Sequence, residues 1–397
     1  MNLDASQRAA ILSATTNRIS IITGGAGTGK TTIIRAITDM LESRGESVNL
    51  CAFAGKAAAR IREACNHPAS TIHRLLEYNG KQFLAGDLSY ATIIIDESSM
   101  IDAALLAEVV ARKPKRLCLV GDPAQLPPVG RGQPFHDIIN LRPDLVSNLT
   151  TCYRATEAVF QAATAIRGGG RPAMQSASAN ERWSMINTGS PEQTQAMIIA
   201  WVKADVIDFS QDVILCARNG EKDTDACTIR GLNKAIVDAI SPRDDKAKCK
   251  FRTGDRVINS KNLPLMDVWN GTTGTVHAVD IDGGIWVETD VPVIDWTRTT
   301  NEDNPVYTSK VLFGKDTRKH LSLAYAMTVH KSQGSQYRNV LIACFDRDTW
   351  GLLDRSLLYT AVTRTKEACC VVGELKAVWK AIDKISNKKT VMQQIGE

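Results

Sequence analysis

The chain has 397 residues, of which 44% are hydrophobic and 23% are charged, and its formal net charge is +5. This length exceeds what one hydrophobic core usually serves, so we expect an ordinary globular protein of two or more domains. The mildly basic balance permits nucleic-acid binding through a local groove but does not demonstrate it. No run approaches the ~18 uninterrupted apolar residues of a membrane span. The start, Met1-Asn2-Leu3-Asp4, also lacks a signal sequence, so we expect a cytoplasmic protein.

Short apolar runs rich in β-branched residues alternate with helix-like segments along most of the chain. This alternation is typical of parallel sheets covered by helices on both faces. An early series of runs covers residues 19–23, 48–53, 92–96 and 116–122, and a later series covers residues 212–217, 321–329, 339–345 and 368–373. Two such series predict two α/β domains.

A phosphate-binding loop is predicted between the first strand and the helix-like run 31–38, because the pattern G-x-x-x-x-G-K-[ST] stands there. The loop N–H groups would converge on a phosphate, Lys30 would reach the β/γ-phosphates, and the Thr31 hydroxyl would ligate Mg²⁺. The residues assigned to the nucleotide are Gly24, Gly25, Ala26, Gly27, Thr28, Gly29, Lys30, Thr31 and Thr32.

Two adjacent carboxylates follow the all-apolar run 93–95, at the strand end where ligands bind in open α/β sheets. Asp96 would hold Mg²⁺, directly or through water, and Glu97 would orient and deprotonate an attacking water. The next strand leads into a turn rich in proline and glycine, which would hold Gln125 facing the γ-phosphate. A purely structural turn is the alternative interpretation.

Three segments interrupt the α/β pattern. Residues 74–90 contain Asn79-Gly80, the signal of a short protruding hairpin. The Gly-rich stretch 167–172 marks a loop near the start of the second domain. Residues 251–319 hold short alternating segments punctuated by glycine, and they predict a small β-barrel-like insertion.

The ten cysteines are expected to be buried free thiols. They contain no C-x-x-C pair, and several lie inside apolar runs such as Leu117-Cys118-Leu119-Val120. A structural zinc site or a disulfide framework is the less favoured alternative.

These motifs together resemble the superfamily 1 DNA helicases, in particular the 5′→3′ branch, 1B, with its RecD-like and Dda-like enzymes. The resemblance spans nearly the whole chain. The matching segments, in order, are residues 3–7, 24–31, 52–58, 70–74, 96–100, 121–128, 152–154, 326–336 and 359–364.

The resemblance implies two RecA-like P-loop parallel-sheet domains with two insertions, a pin hairpin and an SH3-like β-barrel. The implied domains are 1–150 with the pin at 74–90, and 151–250 together with 320–397, interrupted by the barrel at 251–319. The implied cofactors are ATP and Mg²⁺.

By the same resemblance, several further residues bind or act on the nucleotide. Gln7 reads the adenine, and Gly334 and Gln336 contact the nucleotide, although Gln336 stands where the family usually has an acid. Arg154 and Arg364 act as arginine fingers on the γ-phosphate, a role that a planar, permanently charged guanidinium suits.

The resemblance also implies a groove that tracks a single strand. Hydroxyls and imidazoles would bond phosphate oxygens, lysines would neutralise them, and an aromatic ring would stack on a base. The groove residues are Phe53, Lys56, Thr71, His73, Thr328, His330 and Lys331. Phe53-Ala54 replaces the usual Pro-Thr of the family, so stacking would replace a hydroxyl contact. A buried core histidine is the alternative for His330.

The implied function is an ATP-dependent DNA helicase that translocates 5′→3′ on single-stranded DNA, with the pin splitting the duplex. Its implied partners are single strands, junctions and single-strand-binding or replication and recombination proteins, with a monomer acting in the cytoplasm of a bacterium or of a phage-infected host. Three alternatives remain: a translocase or recombination-complex subunit that does not unwind by itself, an RNA helicase, and a non-motor P-loop kinase or switch. The motif at residues 328–336 and Arg364 count against the last.

Overall fold

A computed structural model describes residues 3–151, 153, 156–174, 182–240, 250–300, 305–348 and 350–385. The chain divides into two compact units, the first reaching Ala155 and the second running from Thr156 to Ile385. Over the described ranges, every helix is too short or too polar to cross a membrane.

The first unit is built on a parallel sheet with helices packed on it. Its strands are β1 (Ile19–Gly24), β2 (Ser47–Ala52), β3 (Ala69–Thr71), β4 (Ala91–Asp96), β5 (Arg116–Gly121) and β6 (Val146–Leu149). Its helices are α1 (Ala5–Thr16), α2 (Lys30–Glu42), α3 (Gly55–Cys65), α4 (Ile72–Leu75), α5 (Ala103–Ala111) and α6 (Pro134–Leu141).

The strand order is β3-β2-β4-β5-β1-β6, and all pairs are parallel. Central strands such as β4 are buried on both faces, which explains their continuous runs of isoleucine. Because β5 lies between β1 and β4, the loops that follow these three strands leave the same edge of the sheet next to one another.

The second unit contains two sheets. Its strands are β7 (Trp183–Asn187), β8 (Val213–Cys216), β9 (Arg256–Asn259), β10 (Thr273–Val279), β11 (Ile285–Ile294), β12 (Tyr307–Phe313), β13 (Leu321–Leu323), β14 (Ala326–Thr328), β15 (Tyr337–Cys344) and β16 (Thr365–Gly373). Its helices are α7 (Glu157–Arg167), α8 (Pro191–Lys203), α9 (Ile229–Ile240), α10 (Arg355–Val362) and α11 (Leu375–Asp383).

One of these sheets is parallel, with the order β14-β8-β15-β16-β7, and the other is antiparallel, with the order β12-β11-β10-β9-β13. The prediction of two α/β domains with parallel sheets is therefore confirmed. The antiparallel sheet has its own apolar core, which includes Phe251, Val287 and Phe313.

The predicted single strand at 321–329 is wrong. Leu321–Leu323 pairs with β9 in the antiparallel sheet, whereas Ala326–Thr328 pairs with β8 in the parallel sheet. Between them, the Asn233 side chain accepts hydrogen bonds from the N–H groups of Tyr325 and Ala326, at 2.9 and 3.0 Å. A continuous apolar run cannot reveal such a change of sheet, because both halves are buried and extended.

Three short strands, β3, β6 and β7, were missed by the sequence prediction.

Residues 74–90 contain an isolated antiparallel bridge between Tyr78 and Phe83. The Asn79 side chain accepts from the N–H groups of Lys81 and Gln82, so this asparagine organises the turn, as its position predicts.

Eight cysteines fall within the described part of the chain, and all eight are free. Seven are buried and Cys370 is half-buried, in agreement with the prediction. Burial raises the pKa of their thiols, as for Cys65, whose pKa is about 11. Cys152 and Cys249 lie outside the described residues.

Candidate nucleotide and nucleic-acid sites

The loop between β1 and α2 has the backbone geometry of a phosphate-binding loop. Gly27 and Gly29 have φ of 79° and 83°, in the left-handed region that glycine adopts most readily. No side-chain hydrogen bond caps α2, which begins at Lys30. The first N–H groups of this helix have no partners within it, and the helix dipole adds a positive field there. The loop can therefore bind an anion through its own backbone.

The Lys30 ammonium lies over this loop. Its Nζ donates hydrogen bonds to the carbonyls of Gly24 and Gly25, at 2.8 and 2.9 Å, and the Thr28 hydroxyl donates to Gly25 at 2.9 Å. A Cβ atom at Gly24 would meet the Thr28 hydroxyl at 2.5 Å, so the loop requires glycine there. These contacts position the ammonium beside the backbone that would bind the phosphates.

Gln7 reaches the phosphate loop from α1. Its N–H and side-chain oxygen form a capping box with Asp4, and its Nε2 lies 3.5 Å from the carbonyl of Thr28. The structure thus brings Gln7 to the predicted site.

Tyr153 is a residue of this site that the sequence reasoning did not assign. Its N–H donates to the carbonyl of Gly27 at 2.9 Å, and its phenol donates to Oδ2 of Asp4 at 2.7 Å. The bond to this carboxylate raises the pKa of the Tyr153 phenol. The pattern Asp-x-x-Gln at the start of α1 is a capping signature that could have pointed to Asp4. No local sequence pattern could have paired Asp4 with Tyr153, which is 149 positions away.

Asp96 and Glu97 stand at the end of β4, as predicted. Burial and the nearby Glu97 charge raise the pKa of Asp96 to about 6, while Lys30 and Arg60 oppose that rise electrostatically. Since β5 lies between β1 and β4 in the parallel sheet, the acid at the end of β4 lies at the same edge as the phosphate loop. Glu97 has φ of 53°, a strained conformation of the kind found at functional sites.

A divalent cation fits this site. The raised pKa of Asp96 means that its buried charge is incompletely compensated, and a cation would compensate it. Across the described residues there is no group of three His, Cys, Asp or Glu side chains that could hold a metal. Mg²⁺ suits such a site, because it commonly binds through one or two protein ligands, nucleotide phosphates and water. Thr31 and Asp96 are the residues that would hold it.

Gln125 is buried in the turn after β5, with 4% of its surface exposed. Its N–H donates to the carbonyl of Asp122 at 3.2 Å, and the Asp122 carboxylate accepts from the N–H of Ala124 at 3.1 Å. The turn is therefore internally bonded, as the structural interpretation requires. The turn also follows β5, which lies between β1 and β4, so Gln125 is at the same edge of the sheet as the phosphate loop and Asp96. The functional interpretation requires this position.

Of the two predicted arginine fingers, Arg154 lies outside the described residues. Arg364 is 3% exposed and follows α10. Its Nε donates to the carbonyl of Thr360 at 3.1 Å, and a terminal nitrogen lies 3.4 Å from the carbonyl of Ser335. The structure thus brings Arg364 together with the predicted nucleotide residues Gly334 and Gln336, which flank Ser335.

The first-unit groove residues separate into two pairs. Phe53 and His73 lie edge to face, with ring centroids 6.4 Å apart, and burial lowers the pKa of His73. Lys56 and Thr71 are each only 7% exposed, and the Thr71 hydroxyl caps α4. Sequence reasoning did not anticipate the burial of Lys56.

The second-unit groove residues lie at the end of β14 and just after it. The Thr328 hydroxyl accepts from the N–H of Lys331 at 3.2 Å, which fixes this short turn. His330 is exposed, so its interpretation as a core histidine is wrong. Neighbouring atoms still desolvate both side chains enough to lower the pKa of His330 and that of Lys331.

Two family models match this chain. One, described as an AAA domain, matches residues 2–188, and the other, described as a UvrD-like helicase C-terminal domain, matches residues 323–372.

Curated relatives align over most of the chain. It is 32% identical over 371 residues to the ATP-dependent RecD2 DNA helicase of Deinococcus radiodurans. The aligned region covers 91% of this chain and 48% of that protein. It is 28% identical over 436 residues to the RecBCD enzyme subunit RecD of Mycolicibacterium smegmatis. This alignment covers 98% of this chain and 74% of that protein. The chain thus spans about half the length of the RecD2 relative.

Solved structures show the same fold. A Pif1 helicase from Bacteroides, in complex with ADP-AlF3 and ssDNA, superposes with a TM-score of 0.57 at 18% identity, covering 96% of this chain and 94% of that one. The Pif1 helicase from Candida albicans superposes with a TM-score of 0.51 at 18% identity, covering 94% of each chain.

Proposed function

Because the chain is similar to RecD helicases over more than 90% of its length and matches a UvrD-like helicase C-terminal domain, we propose that it is a superfamily 1B helicase, an ATP-driven motor. The motor moves along single-stranded DNA, 5′→3′, and separates the duplex ahead of it. The observation that carries this proposal is the convergence of Lys30, Asp96, Glu97 and Gln125 at one edge of one sheet, beside a loop shaped for phosphate.

In this proposal each group has one task in hydrolysis. Lys30 and the loop N–H groups bind the β/γ-phosphates, and Glu97 takes a proton from the attacking water while Gln125 orients that water. Thr31 and Asp96 hold Mg²⁺, which when bound neutralises charge on the phosphate oxygens. Gln7 reads the adenine, and its position against the loop supports that role.

Arg364 and Arg154 are proposed to stabilise the charge that develops on the γ-phosphate. The bonds of Arg364 to main-chain carbonyls support this role, because they orient the guanidinium. Gln336 is proposed to bond a ribose hydroxyl through its amide.

The two insertions are proposed to act on the duplex. The segment 74–90 would be the pin, and the antiparallel sheet would be the SH3-like insertion that braces it. The strand Leu321–Leu323 supports extending this insertion a few residues beyond the predicted bound at 319. The remaining predicted domain bounds, 1–150 and 151–250 with 320–397, are retained as proposals.

The single strand is proposed to run over Phe53 and His73 of the first unit and Thr328, His330 and Lys331 of the second. The edge-to-face rings of the first two residues offer a stacking surface. Lys56 and Thr71 are proposed as further contacts to the strand, and each is only 7% exposed.

The proposal is tested with forked DNA and RNA substrates that carry a single 5′ or 3′ tail, with ATP and Mg²⁺. We expect unwinding of DNA with a 5′ tail and none with a 3′ tail. Lys30→Ala should abolish ATP hydrolysis and unwinding, and the matched control Lys203→Ala, at an exposed lysine ending α8, should retain both. ATP hydrolysis that no single strand stimulates would contradict the motor.

A second candidate is a motor subunit that moves without unwinding by itself. Two observations favour it: the segment 74–90 forms only an isolated bridge, and one relative is by name a subunit of a RecBCD enzyme. Translocation on single strands without strand separation, measured by displacement of a bound protein from a 3′ end, would favour this candidate.

A further inference from the structure

An unassigned surface lies where three neighbouring strands of the second parallel sheet end. In the strand register Thr328 of β14 is beside Cys216 of β8, which is itself beside Ala343 of β15. Because the strands are parallel, the residues that follow them leave the sheet side by side. The candidate strand-contact residues His330 and Lys331 follow β14, so the segments after β8 and β15 share their edge.

Two arginines on these segments face one carboxylate. The Nε atoms of Arg218 and Arg347 lie 4.0 and 3.9 Å from Oδ1 of Asp348. The Asp348 side chain is buried, and its Oδ1 accepts no hydrogen bond from the described residues. The two arginine side chains stay partly exposed, at 44% and 34%. A terminal nitrogen of Arg347 donates to the carbonyl of Ala226 at 2.6 Å. Because the contacts with Asp348 exceed hydrogen-bond length, each guanidinium still has further N–H donors for a phosphate oxygen.

An exposed tryptophan follows the second of these arginines. Trp350 is 89% exposed and is followed by Leu352, which is 48% exposed. The N–H groups of Leu352 and Leu353, which follow the indole, donate to the carbonyl of Asp348, at 3.2 and 2.9 Å. An exposed indole two residues after the carboxylate that both arginines face suits single-strand binding, because an indole stacks on any base and cations bind the backbone.

The segment that carries Trp350 leads into α10. Asp354, at the start of α10, acts electrostatically on the imidazole of His330 and opposes the lowering of its pKa. Glu192 and Asp225 also interact electrostatically with Arg347, so part of its charge is offset within the chain. Asp346 is bonded by Lys380 at 2.7 Å, and the Glu374 carboxylate accepts from the N–H of Asp346 at the same distance.

We infer that Trp350, Arg218 and Arg347 form a second contact site for the single strand, next to His330 and Lys331. Trp350 stacks on a base, and the two arginines bind the phosphates that flank it. This inference rests on the proposed function and adds to it a site on the segments after β8 and β15.

The inference is tested by binding of a fluorescent oligo-dT to the full chain over a series of salt concentrations. Trp350→Ala should weaken binding about 5- to 100-fold, the effect of losing one stacked base, and Trp350→Phe should restore most of it. Arg218→Gln should lower the log–log salt slope by about 0.7, the value for one phosphate contact.

Matched controls remove similar side chains elsewhere. Ile281→Ala deletes a fully exposed apolar side chain, and Arg142→Gln deletes an arginine that is 59% exposed; neither should change the affinity. Unchanged melting temperatures show that the variants are folded.

Each outcome separates the two proposals. If Lys331→Ala weakens binding and Trp350→Ala does not, this site is refuted while the motor proposal stands, and the exposed indole is left to a protein partner. If the unaltered chain does not bind oligo-dT at all, the motor proposal itself fails.

Discussion

The Asp96 carboxylate accepts a 2.9 Å hydrogen bond from the main-chain N–H of Glu97. This bond joins adjacent acids whose backbones differ, because β4 ends at Asp96 while Glu97 adopts a φ of 53°. Side chains of consecutive strand residues would point to opposite faces of the sheet. The left-handed conformation breaks that alternation, so both carboxylates can serve one site.

Glu97→Gln should separate nucleotide binding from hydrolysis. The amide keeps the size of the side chain but cannot take a proton from water, so the ATPase rate should fall about 10²- to 10⁴-fold. Binding of a fluorescent ATP analogue should remain. The control Glu63→Gln changes an exposed acid of α3 and should leave hydrolysis unchanged. Equal loss of binding and hydrolysis would contradict the role of Glu97 as a base.

The pKa of Asp96, about 6, predicts opposite effects of pH on metal binding and on stability. As pH falls through 6 the carboxylate gains a proton, so Mg²⁺ affinity and the ATPase rate should fall. The folded chain binds this proton more readily than the unfolded chain, so the contribution of Asp96 to stability should rise as pH falls from 6 towards 4.

These pH effects are measured by Mg²⁺ titration and by thermal unfolding between pH 4 and pH 8. Asp96→Asn should remove the decrease of Mg²⁺ affinity at low pH. It should also remove the part of the pH-dependent change in stability that Asp96 contributes. An Mg²⁺ affinity that is constant over this range would show that Asp96 is not a ligand.

Arg364→Lys should test the arginine finger without emptying its buried site. A lysine retains the charge but lacks the planar fork of five donors that a guanidinium has, so hydrolysis should fall while ATP binding persists. Arg364→Ala should lose hydrolysis too. It should also lose about 1–3 kcal/mol of stability, because the carbonyls of Thr360 and Ser335 lose their bonds from the guanidinium. Loss of ATP binding in the lysine variant would mean that Arg364 contributes to binding of ATP itself and not only to the transition state of hydrolysis.

Shortening the turn 79–82 should uncouple hydrolysis from unwinding. Tyr78 and Phe83 should be kept, because their rings lie 4.7 Å apart and each packs on His73. Each base-pair step opposes its opening by about 1.4 kcal/mol of stacking. A shorter turn should therefore unwind forked DNA at least several-fold more slowly. ATP hydrolysis stimulated by single strands serves as the internal control, and the pin is refuted if both rates fall together.

Local sequence was sufficient to predict the phosphate loop, most strands of both parallel sheets and the acids that end β4. Glycine spacing, runs of β-branched residues and a polar residue after an apolar strand each act within a few positions, so the sequence displays them directly. The order of motifs along the chain was enough to indicate the family.

Tertiary structure alone decided how distant residues combine. The bond between Tyr153 and Asp4, the burial of Lys56, the exposure of His330 and the change of sheet between Leu323 and Ala326 depend on what packs against each residue. A local pattern describes a residue and its nearest neighbours in the chain. Burial and hydrogen bonding across 149 positions follow from the path of the whole backbone, which determines which groups meet.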